Sequence, residues 1–199
     1  MAWKELHELD TRNGRMRLVK FFNSQRLLAE DGTEQSGSYM NSLWKTALRT
    51  LPKKFSPSSI LFLGVGTGGA LRIAAKKFPS ANITGIEWDS TLKNIAEQSL
   101  TSENNTTLIE ADAEIWTKTM PHTNITCIDL FTGADVAPCV RKLPFLQHVI
   151  AHSDFTFINV YTHQDILREV DNTIAHLPRK RIQYYASTIG MYGSSHLCS

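Results

Sequence analysis

The chain has 199 residues, 42% of them hydrophobic and 20% charged, with a formal net charge of +2. That is enough for one sizeable α/β core with a small appendage, and so small a charge gives no pull toward nucleic acid or a membrane surface. No apolar run approaches the roughly 20 residues that span a bilayer, which excludes a transmembrane helix.

Residues 1–8 are charged and lack an apolar signal core. The three cysteines (Cys127, Cys139, Cys198) are an odd set without metal-type spacing. The expectation is therefore a cytoplasmic protein with free thiols and no metal site. The densest basic patches, Lys53-Lys54 and Arg179-Lys180-Arg181, read as solvated loop charges.

In chain order, residues 15–30 look like two strands with a turn at Asn23-Ser24. A polar stretch over 31–38 follows. Residues 39–51 then have helical spacing, with Tyr39, Leu43, Trp44, Ala47, Leu48 and Leu51 on one face. Pro52 and Pro57 punctuate the way into the core. From Ile60 strands and helices alternate. Strands are predicted at 60–63, 82–86, 106–110, 125–129 and 154–160; helices are predicted at 69–78, 90–100, 112–119, 140–151 and 164–176. The strands are apolar on both sides, as in a parallel sheet covered on both faces. Residues 181–197 read as two strands around Gly190-Met191. The fold class expected is α/β: a Rossmann-like, mostly parallel sheet flanked by helices, ending in an antiparallel hairpin. A small N-terminal β-hairpin subdomain (1–38) precedes the core (39–199).

Ligands of such sheets bind beyond the carboxyl ends of the strands. The first core strand ends in Gly64, Gly66, Gly68 and Gly69, a turn that lets backbone approach a ligand closely and opens a helix N-terminus toward it. The second ends at Glu87, the third at Asp112-Ala113 and the fourth at Asp129. A carboxylate after the second strand can grip both ribose hydroxyls. Asp112 can accept from an exocyclic amine, and Asp129 stands near the reactive end of a ligand. Each acid alone could instead be a helix N-cap or a solvated loop residue. Gly64-x-Gly66-x-x-Gly69 formally matches the dinucleotide fingerprint. A pyrophosphate site, however, does not need acids after strands three and four, whereas a nucleoside sulfonium does. The acids favour S-adenosylmethionine over a dinucleotide.

Residues 61–69 (Leu-Phe-Leu-Gly-Val-Gly-Thr-Gly-Gly), 85–89 (Gly-Ile-Glu-Trp-Asp), 110–114 (Glu-Ala-Asp-Ala-Glu) and 128–131 (Ile-Asp-Leu-Phe) resemble successive motifs of the class I S-adenosylmethionine-dependent methyltransferases. With residues 14–39 they resemble, more narrowly, the spermidine synthase-like branch, which carries a small N-terminal β domain. The resemblance implies that Gly64, Gly66 and Gly68 line the methionine side of the cofactor, Glu87 holds the ribose, and Asp112 and Ala113 flank the adenine. It implies that Asp129 activates the attacking group and that Gln35 and Tyr39 reach the acceptor. The chain also departs from the branch. Thr67 stands where spermidine synthases have an acid for the amine of decarboxylated S-adenosylmethionine. Thr132 stands where a second acid would follow Asp129, with Asp135 displaced further along. Tyr39-Met40-Asn41 replaces a tyrosine, histidine and glutamate. A polyamine needs several carboxylates, and intact S-adenosylmethionine brings its own carboxylate, which a hydroxyl suits better than an acid.

Three functions stay open at this point. They are methyl transfer from S-adenosylmethionine to a small-molecule acceptor, aminopropyl transfer from the decarboxylated cofactor, and nucleoside binding without turnover. Related synthases often dimerise, so the resemblance allows a homodimer. His148 and His152 share i,i+4 spacing without a third ligand, and His163 reads as a loop histidine. Trp44 and Trp116 read as packing residues, and Trp88 could contact the adenine side.

Overall fold

The computed structural model describes residues 4–21, 24–103, 105–133 and 135–193; Asn23, Cys198 and residues 194–197 lie outside them. The chain opens with an antiparallel sheet of order β1-β2-β3-β4, formed by β1 (Lys4–Thr11), β2 (Gly14–Phe21), β3 (Ser24–Ala29) and β4 (Glu34–Ser36). Two strands were expected here, and four are present. β1 escapes pattern reading because a bulge between Glu5 and His7 breaks the two-residue period. β4 is only three residues long.

Helix α1 (Ser38–Leu48) leads to the core. The central sheet contains β5 (Ser59–Leu63), β6 (Asn82–Glu87), β7 (Thr106–Glu110), β8 (Thr123–Ile128), β11 (Ser153–Tyr161), β12 (Arg179–Tyr184) and β13 (Ser187–Gly193). Their order is β12-β13-β11-β8-β5-β6-β7. Pairing is parallel from β7 to β11 and antiparallel at β13. Between β8 and β11 a two-residue ladder joins β9 (Phe131–Thr132) to β10 (Asp135–Val136).

The period of two along β5 explains how the sheet is covered. Ile60 and Phe62 face one core with Leu43, Trp44, Leu71 and Ala74 from α1 and α2 (Gly69–Lys77), and α3 (Ser90–Ser99) adds Ala96 to it. Leu61 and Leu63 face the other, with Leu146 and Val149 of α5 (Leu143–Ala151) and Leu167 and Val170 of α6 (Gln164–Thr173). The helix expected at 112–119 is one short turn, α4 (Ala113–Trp116), continued as a 3₁₀ turn to Thr119. The one expected at 140–151 begins as a 3₁₀ turn over Pro138–Arg141.

The C-terminal hairpin turns at Tyr185-Ala186, not at Gly190-Met191. Gly190 sits inside β13 opposite Ile158 and Arg181. There a Cβ would stand 2.6 Å from Leu167 Cδ2, so the glycine makes room for α6 rather than a turn. Arg179, Lys180 and Arg181 accordingly belong to β12, an edge strand, and Arg179 and Arg181 pair with Asp171. No helix among the described residues is long and apolar enough to cross a membrane.

β6 lies on one side of β5 and β8 on the other, so the chain changes direction of winding at β5. Beyond its carboxyl end a crevice opens between the diverging connections. The N-terminal sheet roofs it. Met16 and Leu27 pack on Leu92 of α3, the Arg12 N–H donates to the Asp89 carboxylate, and the Ser36 and Thr67 hydroxyls lie 2.6 Å apart.

Candidate functional site

The crevice is a cleft of about 700 Å³, the size of a small-molecule site. Its walls come from the loops after β5, β6 and β8, the end of β11, the hairpin turn, the N-terminal sheet and the first turn of α1.

Gly64 and Gly66 line one end, with φ of 87° and 55°. Gly64 is required by a close chain crossing: a Cβ there would sit 2.1 Å from the Asp129 carbonyl oxygen. Glu87 is 5% exposed and its carboxylate folds back under this loop. Oε2 accepts from the N–H groups of Val65 (3.0 Å) and Gly66 (3.2 Å), and Oε1 accepts from Asp89 N–H (3.2 Å). Burial pushes the Glu87 carboxyl above its ordinary value, and these three hydrogen bonds oppose the shift. The N–H groups of the other loop residues from Gly64 to Gly68 are also consumed. Gly64 N–H goes to Ile86 O, Thr67 N–H to Ser36 Oγ and Gly68 N–H to Val65 O.

Asp129 also lines the cleft and is partly buried. Its Oδ2 accepts from Trp44 Nε1 (2.7 Å) and its Oδ1 from Asn159 Nδ2 (2.9 Å). Both donors are neutral. Burial raises the Asp129 carboxyl above its ordinary value, and the two hydrogen bonds only partly offset that.

Gln35 and Tyr39 both line the cleft. Gln35 Nε2 donates to the Gly133 carbonyl (2.9 Å), tying the roof to the β9–β10 ladder. The Tyr39 hydroxyl donates to the Tyr184 carbonyl (3.0 Å) and shares a hydrogen bond with Ser187 Oγ (2.9 Å), tying α1 to the hairpin.

The structure thus gathers Gly64, Gly66, Glu87, Asp129, Gln35 and Tyr39 around one cleft. Thr67, Gly68, Asp112 and Ala113 do not line it. The Thr67 hydroxyl is bonded to Ser36. Gly68, at φ 80°, caps α2 against Ser99 and Leu100. Asp112 is the N-cap of α4, accepting from Glu114 N–H (2.7 Å) and Ile115 N–H (3.2 Å), while Ala113 is buried in the core. Asp135 is also away from the cleft. It is held below its ordinary value by Arg141 at 2.7 Å and also meets His163 at 3.0 Å.

Other residues line the cleft or pack beside it. Trp44 is fully buried against Phe62, but it also positions Asp129. Asn159 does the same from a strand interior. Tyr161, Tyr185 and Trp88, the last 37% exposed, also line the cleft. Trp116 packs against the core. His148 and His152 stack on each other and hydrogen-bond to backbone carbonyls of Thr117 and His148.

No family model matches the sequence, and no curated protein does. Solved structures do match. A probable spermidine synthase from Corynebacterium glutamicum ATCC 13032 superposes over 97% of this chain and 80% of its own, with a TM-score of 0.75 and 14% identity. The fold is that of the spermidine synthases and class I methyltransferases. A spermidine synthase in complex with the transition-state analogue AdoDATO covers 98% of this chain and 74% of its own (TM-score 0.70, 13% identity). Human methyltransferase-like protein 13 in complex with SAH covers 78% and 80% (TM-score 0.57, 16% identity).

Proposed function

We propose that the protein is an S-adenosylmethionine-dependent transferase that moves a methyl group to a small acceptor. The observation that carries the cofactor class is the hydrogen bonding of the glycine loop. A pyrophosphate needs the loop N–H groups, and here those of residues 64–68 are bound by Ile86, Glu87, Ser36 and Val65. A nucleoside sulfonium needs packing space and carboxylates instead. The cleft supplies space beside Gly64 and Gly66, an apolar wall from Met16, Leu27 and Leu92, and the buried Glu87. Glu87 would hold the ribose hydroxyls, and the glycines would pack on the methionine side.

When bound, the cofactor supplies an electrophilic carbon on a sulfonium sulfur. The chain's own task is to place a nucleophile and take its proton. Asp129 suits that task. Trp44 and Asn159 fix both its oxygens, its surroundings raise its basicity, and it opens onto the cleft. Leu130, Phe131 and Tyr161 give the same end apolar walls that limit water.

Methyl transfer is preferred over aminopropyl transfer because Thr67 and Thr132 stand in place of two acids and Asp135 is engaged with Arg141 and His163. The second reading, aminopropyl transfer from the decarboxylated cofactor, is favoured by the N-terminal sheet over the cleft. Calorimetry with S-adenosylmethionine and with its decarboxylated form tests both. Saturable binding of the intact form supports the first reading and stronger binding of the decarboxylated form the second. Folded protein that binds neither overturns both. Binding with no turnover of any amine or hydroxyl acceptor leaves a nucleoside-binding homologue.

A further inference from the structure

A second cleft, of about 430 Å³, opens at the other end of the central sheet. One wall is the loop from α1 into β5, over residues 49–57; the other is the end of α2 and the turn into β6, over residues 77–81. It therefore lies at the amino ends of β5 and β6, whereas the first cleft lies beyond the carboxyl end of β5. Four cations line it, Arg49, Lys53, Lys54 and Lys77, and no acid does. All four are exposed. Arg12, Arg141, Lys142, Arg179 and Arg181 each meet a carboxylate elsewhere in the molecule; among the described residues none of the four cleft cations does.

The walls that carry these charges are fixed. Phe55 packs edge-on against Phe155 of β11, ring centroids 4.9 Å apart. Asn124 Oδ1 accepts from the N–H groups of Ser58 (2.9 Å) and Ser59 (3.1 Å). The Asn82 N–H donates to the Ser58 carbonyl (2.9 Å), joining one wall to the other, and Asn105 Nδ2 holds the Ala81 carbonyl (2.6 Å). Lys77 Nζ lies 5.1 Å from the centre of the Phe78 ring, which also lines the cleft. Part of the charge has a local use. Arg49 caps α1 and Lys77 ends α2, and a cation at a helix C-terminus answers the negative end of the helix dipole. Each helix end carries only about half a charge, so most of the four stays unbalanced, and Lys53 and Lys54 belong to neither helix. Like charges held around one concavity repel each other and focus a positive field into it.

We infer that this cleft binds a small anion with two or more phosphate groups, either an inorganic oligophosphate or the polyphosphate of a nucleotide. The volume is that of a small-molecule site. Lysine and arginine N–H groups make charge-assisted hydrogen bonds to phosphate oxygens, and a chain of phosphates brings enough charge to meet cations from both walls. The site is independent of the transferase reading. The two clefts share no lining residue, and the five residues of β5, roughly 17 Å, lie between them.

Calorimetry on the full chain with inorganic tripolyphosphate tests this. One saturable site is expected at low salt, weakening as added salt screens the charges. A Lys53→Gln/Lys54→Gln double variant should bind about tenfold more weakly or worse, with an unchanged urea midpoint, and Lys53→Arg/Lys54→Arg should retain binding. A Lys118→Gln/Lys180→Gln variant loses the same net charge from exposed positions outside the cleft and should bind as the wild type does. ATP separates the two sources of phosphate. Tighter binding than tripolyphosphate supports a nucleotide, and equal or weaker binding supports an inorganic oligophosphate. Absence of saturable tripolyphosphate binding overturns the inference. Equal weakening in both glutamine double variants also overturns it, because the attraction is then one of net charge alone. Binding of a single-stranded RNA oligomer with none of tripolyphosphate overturns it as well.

Discussion

The two halves of the cleft are built on different plans. The cofactor half is floored by one continuous stretch, the end of β5 through the start of α3, and roofed by the N-terminal sheet, and the polar groups of that stretch are largely consumed internally. Glu87 accepts three backbone N–H groups from that same stretch. The acceptor half is assembled from separated segments: Tyr39 on α1, Asp129 to Phe131 with Gly133, Asn159 and Tyr161 on β11, and the hairpin turn at Tyr185, with the buried Trp44 of α1 holding Asp129. Tyr161 (φ 52°) and Tyr185 (φ 48°) are the only non-glycine residues with positive φ among the described residues, and both are in this half. A bulky residue in that region costs of order 1–3 kcal/mol and is held there by its surroundings. One half is therefore a stiff, self-satisfied cradle, and the other is a strained, multi-segment surface whose shape sets what can enter.

The sharpest way to break that division is at Asp129. Asp129→Asn should lower the transfer rate by about 10²–10⁴-fold with S-adenosylhomocysteine binding unchanged. If calorimetry shows binding falling along with the rate, the halves are not separable. The reciprocal change, Glu87→Gln, places an amide where three N–H groups need an acceptor. It should weaken S-adenosylhomocysteine binding about tenfold or more and destabilise the fold by about 1–3 kcal/mol, read by urea unfolding.

A pH profile sharpens the acceptor half further. Asp129 must be ionised to take a proton, and burial raises its carboxyl above the ordinary value. Protonation therefore persists to higher pH, and the acid limb of kcat should lie above the usual carboxylate range. Trp44→Phe removes a donor that favours the ionised form and should move this limb to still higher pH. A limb that stays put, or moves down, contradicts the role given to Trp44. The smallest effect is expected at Tyr185, 80% exposed at the hairpin turn. Tyr185→Gly relieves a left-handed backbone at the cost of added unfolded-state freedom, for a net gain of at most about 1 kcal/mol. Acceptor KM should rise while ligand affinity in the cofactor half stays the same.

The same division governs what could be read from the sequence. β5 followed by Gly64, Gly66 and Gly68, and β6 ending at Glu87, are local patterns, and the structure has them in place. β1 escaped because a bulge breaks its period. The hairpin turn was misplaced because Gly190 looks like a turn residue but serves close packing against Leu167. Asp112 shows what such a local pattern leaves open. An acid after a strand looks the same in sequence whether it faces a ligand or caps a helix, and here it caps α4.

By itself the sequence determined the alternation of strands and helices, the two-faced burial of β5 and the glycine loop with acids beyond it, because each depends on neighbours a few residues apart. Only the tertiary structure decided how those acids are used. Asp129 is held by Trp44, 85 residues away, and by Asn159, 30 away. The roof closes through Gln35 to Gly133, 98 residues apart, and Arg26 meets Glu34 only because β3 and β4 pair. Such contacts follow from strand order and helix docking. No short stretch of sequence encodes them, because their energy is gained only when distant segments are brought together by the shared core.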